Sequence, residues 1–250
     1  MSRVCPCCGY RGLDRAAALC GICAWEDRDP YGSRGWSSYA FPALVDAQRS
    51  FAACGAADPA VREFTRAPRP DESRPPWFTP IVDAPGVIVA LIEHAFEDVL
   101  LDGGVSLDEA ELIDAHELPS RTELDPPPRG HGVGPPWQDL TTAGLDRMPW
   151  GNFPFQDARG IRYHLPAFMR AHLRDPKPPG AIESLLFTLR SGHRLAALRG
   201  LLTRDQGHAV ARYLAHLGTV DSYYAPHAGD ALREQWGAYL EPEHLAHVMR

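Results

Sequence analysis

Five of the six cysteines fall within the first 23 residues, and four of them make two C-x-x-C pairs, Cys5 with Cys8 and Cys20 with Cys23, separated by the eleven residues 9–19. Each pair turns tightly enough to aim two thiolates into one space. Four sulfurs at about 2.3 Å from a common centre form the tetrahedron that Zn²⁺ accepts, so the spacing predicts a structural zinc site on Cys5, Cys8, Cys20 and Cys23. Such a site leaves no coordination position for water or substrate, and it stabilises rather than catalyses. Pro6 fixes φ after the first ligand, and Gly9 suits the left-handed turn that brings backbone N–H groups towards the sulfurs. A disulfide framework belongs to short secreted chains and fits this clustering less well.

The other two thiols read differently. Cys7 lies between two ligands and is a spare thiol pointing away from the metal, an alternative ligand or a redox group; the C-x-x-C redox reading lacks the βαβ context it needs. Cys54 ends the apolar face of a helix and reads as a small core residue.

Eleven histidines invite a search for further chemistry. No H-E-x-x-H occurs, and Glu241, His244 and His247 on a terminal helix read as a solvated trio. His164 and His172, two helical turns or about 12 Å apart, are too far from one another to share an ion and are expected to bond locally. His94 with Glu97 and His116 with Asp98 could line the acidic pair of helices as a carboxylate and histidine pocket, or form a solvated face, and His164 is a further centre for such a pocket. No G-x-S-x-G elbow is present, and Lys177, the single lysine, sits in a proline-rich stretch unsuited to a phosphate loop or a Schiff base.

The elements that must position these residues are mostly helices. A helix from about Pro42 to Cys54 carries Ala43, Leu44, Ala47, Phe51 and Cys54 on one stripe, which should pack on the zinc module. Further helical patterns run from Val87 to Leu101, from a Ser106/Glu109 capping box to about His116, from Asp157 to Leu173 with Pro166 kinking it, and along an all-round apolar stretch from Ala181 to Leu189. A second capping box, Thr203 to Gln206, opens a helix that buries Ala209, Val210, Tyr213, Leu214 and Leu217 before Gly218 stops it. Two short helices follow, from about Gly229 to Leu240 and after Pro242. The stretch 119–136, with three successive prolines and the glycines around His131, reads as a surface loop without a nucleotide-binding pattern. Almost nothing alternates with period two. The expected fold is mainly α: a small zinc-knuckle or ribbon module followed by an irregular α-helical bundle.

The 250 residues carry a net charge of −7, and the segment from Asp71 to Asp125 holds fourteen acids against Arg74 and Arg121. That balance argues against a chain that coats nucleic acid or anionic membrane. The longest apolar stretch, from Gly86 to Leu101, is broken by four charged or histidine residues and is too short for a membrane span. The N-terminal residues show no signal-peptide pattern, and a cytoplasmic location is expected.

Two resemblances add to this reading. Cys5-Pro6-Cys7-Cys8-Gly9-Tyr10, then Cys20-x-x-Cys23 with Trp25-Glu26-Asp27, then Ala43 to Phe51 ahead of Gly55-Ala56 and the run Arg66 to Glu72, resembles the small bacterial cysteine-rich CPCC family over roughly residues 3–70. The resemblance implies zinc binding and no established activity. Gly160-Ile161-Arg162-Tyr163-His164-Leu165-Pro166-Ala167-Phe168-Met169, preceded by Trp137 and Leu145 and followed by Ile182 to Leu189 and the Gln206 helix, is similar to the DUF6714 family over roughly Val87 to Gly218. It carries no activity either.

The expected organisation is a zinc module with its following helix over 1–66, a proline-rich linker over 67–86, a helical domain over 87–218 and a C-terminal helical extension over 219–250. The expected function is that of a zinc-stabilised cytosolic binding protein whose partner is another protein, basic by charge complementarity, with an immunity or accessory role as an analogy. An enzyme with a carboxylate and histidine pocket in the helical domain is the alternative. A zinc-ribbon nucleic-acid binder comes third, because Arg3, Arg11, Arg15, Arg28 and Arg34 are offset by Asp14, Glu26, Asp27 and Asp29, and a four-thiolate zinc centre is itself anionic.

Overall fold

The computed structural model describes residues 3–13, 19–26, 40–120, 134–146, 152–175, 181–221 and 223–249, with only the helical backbone described at 40–43 and 146. Among these, ten α-helices follow in order: α1 Ala40–Cys54, α2 Ala84–Ala95, α3 Leu107–Asp114, α4 Thr142–Asp146, α5 Ala158–Arg174, α6 Ile182–Ser191, α7 Leu195–Leu201, α8 Arg204–Val220, α9 Ala225–Ala231 and α10 Pro242–Val248. The β pairing among the described residues consists of two isolated antiparallel bridges, Arg3 with Leu13 and Leu19 with Glu26. No helix among them is long and apolar enough to cross a membrane. The mainly helical class is as expected. The chain divides into two compact units, the first made of Met1–Ala84, His216–Pro226 and Glu241–Arg250, the second of Pro85–Ala215 and His227–Leu240.

In the first unit the core is built from Cys5, Cys7, Cys8, Leu13, Cys20, Ile22, Cys23 and Ala47, with Leu44 and Phe51 of α1 packed against it. The stripe on α1 thus meets the cysteines, as its three- and four-residue spacing requires. Gly55, at φ +80°, ends the helix, and its N–H bonds to Phe51 O at 2.9 Å. Cys54 departs from the core reading: it is only half-buried, and its thiol stays near Ser50 and Ala56. Residues 67–84 of the proline-rich stretch lie within the first unit. Side chains explain why. Gln48 donates to Pro6 O at 2.8 Å and accepts from the Ile81 N–H at 2.8 Å. Trp77 is buried beneath His244 of α10, the rings parallel and 4.6 Å apart, while Arg11 reaches Glu243 through two bonds of 2.9 and 2.6 Å.

In the second unit α5 packs against α6, α7 and the 3-10 turn at Trp137–Asp139. Asp157 caps α5: its Oδ1 accepts from Gly160 N at 2.8 Å and from Val105 N at 3.0 Å. Gly160 permits that crossing, because a Cβ there would sit 2.2 Å from Val105 O. Ile161, Leu165, Phe168 and Met169 are all buried, and α5 continues as helix through Pro166. Both capping boxes form, Ser106 with Glu109 and Thr203 with Gln206.

Several boundaries move for identifiable reasons. The helix expected to reach Leu101 stops at Ala95, where side chains take over the terminal carbonyls: Gln206 donates to Ala95 O, Trp137 to Phe96 O and Gln138 to Glu97 O, at 3.1, 2.7 and 3.0 Å. Gly218 does not stop α8, which runs to Val220; glycine ends a helix through positive φ, and among the described glycines that is found at Gly9, Gly55 and Gly103. The stretch from Ala181 is not buried all round, since Phe187 is 59% exposed while Ile182, Leu185, Leu186 and Leu189 face inward. The helix α7 was not expected from the sequence. The helix expected from Gly229 begins at Ala225 and relaxes into a π-helical turn at Leu232–Trp236, where the Trp236 indole donates to Leu189 O at 2.7 Å. Most of the 119–136 loop, Lys177, and Arg15, Arg28 and Arg34 lie outside the described residues.

Candidate metal centre

The two C-x-x-C segments fold as matched turns. In the first, Gly9 N bonds to Cys5 O at 2.9 Å and Cys5 N to Tyr10 O at 2.9 Å; in the second, Ala24 N bonds to Cys20 O at 2.7 Å and Cys20 N to Trp25 O at 2.8 Å. The residue after the last cysteine is left-handed in both, Gly9 at φ +76° and Ala24 at +59°. Glycine meets that demand freely, whereas alanine does so at a steric cost. Each turn is closed by one of the antiparallel bridges.

These turns bring Cys5, Cys8, Cys20 and Cys23 together, with all four thiols buried and their sulfurs within 4.8 Å of one another. Cys5 Sγ lies 3.6 Å from Cys23 Sγ, and Cys8 Sγ lies 3.7 Å from Cys20 Sγ, so each contact joins one knuckle to the other. All four are free thiols. Among the described residues this is the one set of three or more His, Cys, Asp or Glu side chains close enough to hold a metal ion. The thiols are strongly coupled: hydrogen bonds from Cys23, Cys5 and Cys8 hold Cys20 below its ordinary pKa, and interaction with Cys20 is the leading cause that holds Cys23 and Cys5 above theirs. Four sulfurs this close ionise together only when a cation joins them.

Cys7 does not point away from this centre. It is buried in the same core and interacts with Cys23, although it is not one of the mutually close four. The cluster is wrapped by residues that sequence reasoning passed over. Arg74 Nε donates to Cys8 O at 2.7 Å, and its guanidinium lies 4.6 Å from the centroid of the Tyr10 ring and 5.6 Å from that of Phe51. Arg66 makes bonds of 2.6 and 2.5 Å to the two oxygens of Glu72, which also accepts from Arg69 N at 2.7 Å. These bonds, the one from Arg66 first, hold the Glu72 carboxyl down at about 2. The available signal was the run Arg66 to Glu72, which gives no hint of its distant contacts.

The remaining candidates are dispersed. His94, Glu97, Asp98 and His116 are all exposed, and His116 Nδ1 bonds to the nearby Asp114 O at 2.8 Å. His164 bonds locally, as expected, whereas the partner of His172 lies 41 residues away on α8. His164 is fully buried, with Nδ1 2.8 Å from Gln156 Oε1 and 2.7 Å from Gly160 O; both partners are acceptors, so Nδ1 carries the proton. Burial pushes its pKa down to about 4 against the opposing effect of the Gly160 carbonyl. His172 shares a 2.6 Å hydrogen bond with the Tyr213 hydroxyl. Of the C-terminal trio, Glu241 is exposed as its sequence suggests, but the two histidines are not solvated: His244 is 6% exposed beneath Trp77, and His247 tilts against the same indole at 5.3 Å.

The acids from Glu93 onward divide by task. Glu93 pairs with Arg174 at 2.7 Å, and Glu109 serves the Ser106 cap. Glu97, Asp98, Asp102, Asp108, Glu111 and Asp114 are exposed.

Comparison with known proteins agrees with both resemblances. Residues 3–72 match the family described as Cysteine-rich CPCC. No curated protein and no solved structure matches the chain. The other family match runs from residue 86 to 240, beyond the Gly218 limit read from the sequence, and ends where the second unit ends. Covering more than half of the 250 residues, it shows that this chain, with its CPCC segment in front, belongs to DUF6714, a family of unknown function.

Proposed function

We infer that the protein is a zinc-stabilised binding protein whose cysteine centre is structural and whose partner is another protein. The observation that carries the zinc reading is the spacing of the sulfurs. A tetrahedron with metal–sulfur bonds of about 2.3 Å has edges of about 3.8 Å; here two sulfur pairs are 3.6 and 3.7 Å apart and all four sulfurs lie within 4.8 Å of one another. The donor set fits the ion, since four soft thiolates in a tetrahedron suit zinc. Cys5, Cys8, Cys20 and Cys23 would fill all four positions, which leaves the centre a fold-stabilising role. Six free thiols suit a reducing compartment, and we place the protein in the cytoplasm.

The partner reading rests on charge. The exposed acids between Glu97 and Asp114 would attract a basic protein surface, speeding encounter and disfavouring acidic partners, nucleic acid among them. Elemental analysis of protein purified without chelators tests the first half: one zinc per chain is expected, and a metal-free protein with intact thiols would refute it. Partner capture by the full chain, compared with a variant carrying Asp→Asn and Glu→Gln at the exposed acids, tests the second. Unchanged capture by the neutralised chain would refute the electrostatic reading.

A further inference from the structure

Two arginines address the cysteine centre from outside, one at each knuckle. Arg74 holds the first knuckle by its backbone, donating to Cys8 O at 2.7 Å while its guanidinium lies over the Tyr10 and Phe51 rings. Arg66 stands at the second. A Cβ built on Gly21, the residue after Cys20, would lie 3.6 Å from Arg66 Nε and 3.8 Å from Nη2, which places the guanidinium beside the second knuckle. Glu72, its side chain only 11% exposed, grips Arg66 by both oxygens and fixes the direction of the guanidinium.

The chemistry of the centre makes this placement meaningful. Four thiolates around one divalent cation carry a net charge of −2 in a buried setting, which the nearby apolar core cannot solvate. Cationic groups just outside the ligands lower that cost, and a donor on a ligand's own carbonyl fixes the turn that aims its sulfur. Arg66 and Arg74 lie 43 and 51 residues beyond Cys23, the nearest metal-site cysteine, out of reach of any local motif, and the first unit folds them back onto separate knuckles.

We propose that Arg66 and Arg74 are positioning residues that hold the four-cysteine centre in its metal-binding form, Arg74 through the Cys8 carbonyl and positive charge, and Arg66 through positive charge beside Cys20, oriented by Glu72. The proposal rests on the zinc reading above.

The test is competition between the full-length protein and a chromogenic chelator for Zn²⁺, joined to the absorption spectrum of the Co²⁺-loaded protein. Arg74→Met, Arg66→Gln, Glu72→Gln and Arg74→Lys are compared with the unaltered chain. Arg74→Met and Arg66→Gln should each weaken zinc binding by about 10- to 100-fold, the range found for groups that support metal ligands. Glu72→Gln should fall in the same direction by less. Arg74→Lys, which keeps the charge, should stay within about threefold of the unaltered chain, and the thiolate-to-cobalt band should shift in Arg74→Met but not in Arg74→Lys. Equal affinity in all variants would overturn the proposal, as would an Arg74→Lys loss equal to that of Arg74→Met. Absence of zinc binding by the unaltered chain would instead overturn the zinc reading, and the proposal with it.

Discussion

The ring of Phe78 lies where a side chain on Gly9 would begin: a Cβ added there would fall 2.3 Å from Phe78 Cδ1. Gly9 also sits at φ +76°, so the position excludes side chains on two counts. Gly9→Ala should destabilise the first unit by the left-handed penalty, about 1–2 kcal/mol, and by overpacking, about 1–3 kcal/mol more. Gly55 has a similar φ of +80° but open space around it, so Gly55→Ala should show only the smaller loss. Urea unfolding of the two variants side by side checks the difference.

Chelation should unfold the first unit and spare the second. On the zinc reading, chelation would leave four buried thiols whose mutual approach lacks a cation. Near-ultraviolet circular dichroism during titration with a strong chelator should show loss of the Trp25 and Trp77 environments, with helical signal largely kept. Cys8→Ser should behave like the chelated protein, whereas Cys54→Ser should bind zinc normally, since Cys54 stands apart from the cluster.

Ala24 is the matched position in the second knuckle, held at φ +59°. Ala24→Gly relieves a left-handed alanine, worth about 1–2 kcal/mol, and gives back roughly 0.4–1 kcal/mol through a freer unfolded chain. A net gain of about 0.5–1 kcal/mol in the zinc-loaded protein is expected, read as a higher thermal midpoint.

His164 should make the second unit sensitive to mild acid. Its folded pKa is about 4 against an ordinary 6.5, because burial disfavours the cation. Between those values the unfolded chain binds a proton that the folded one does not, so stability rises with pH across that window. The contribution is complete above about pH 6.5 and is lost as pH falls towards 4, on the order of 3 kcal/mol in all. Denaturant midpoints measured from pH 7 to 4 should fall steeply for the unaltered chain and less steeply for His164→Gln.

Asp157 joins two backbone N–H groups through one oxygen. Asp157→Ala removes a helix cap worth about 0.5–2 kcal/mol and strands the buried Val105 N–H, which adds about 1–3 kcal/mol. Asp157→Asn keeps an acceptor and should lose markedly less. Thermal unfolding of both variants decides whether the cap or only the loss of charge matters.

The parts of this architecture that were legible before folding are those set by short-range chemistry. The cysteine spacing, the Ser106 and Thr203 capping boxes and the buried stripe of α8 all reside in windows of a few residues. What escaped notice depends on contacts across long separations. Nothing near Ala95 announces that Gln206 will take its carbonyl, and so shorten α2. Nothing in the proline-rich stretch reveals that Gln48 will hold Ile81 or that Arg74 will reach Cys8. Proline content correctly excluded regular structure up to Asp83, although α2 already begins at Ala84, and irregular backbone is compatible with tight docking when side chains elsewhere supply the bonds. His244 misled for the same reason, because a His- and Glu-rich terminal helix looks solvated until Trp77 covers it.

The first unit is stitched from three separated stretches of chain, and the span that makes up most of the second is inserted between them. During synthesis the thiols therefore leave the ribosome early, while Glu243 and His244, which engage Arg11 and Trp77, emerge more than two hundred residues later. An ion captured by the nascent knuckles would guard those sulfurs from oxidation through that interval, and would give the late-arriving helix a finished surface on which to close.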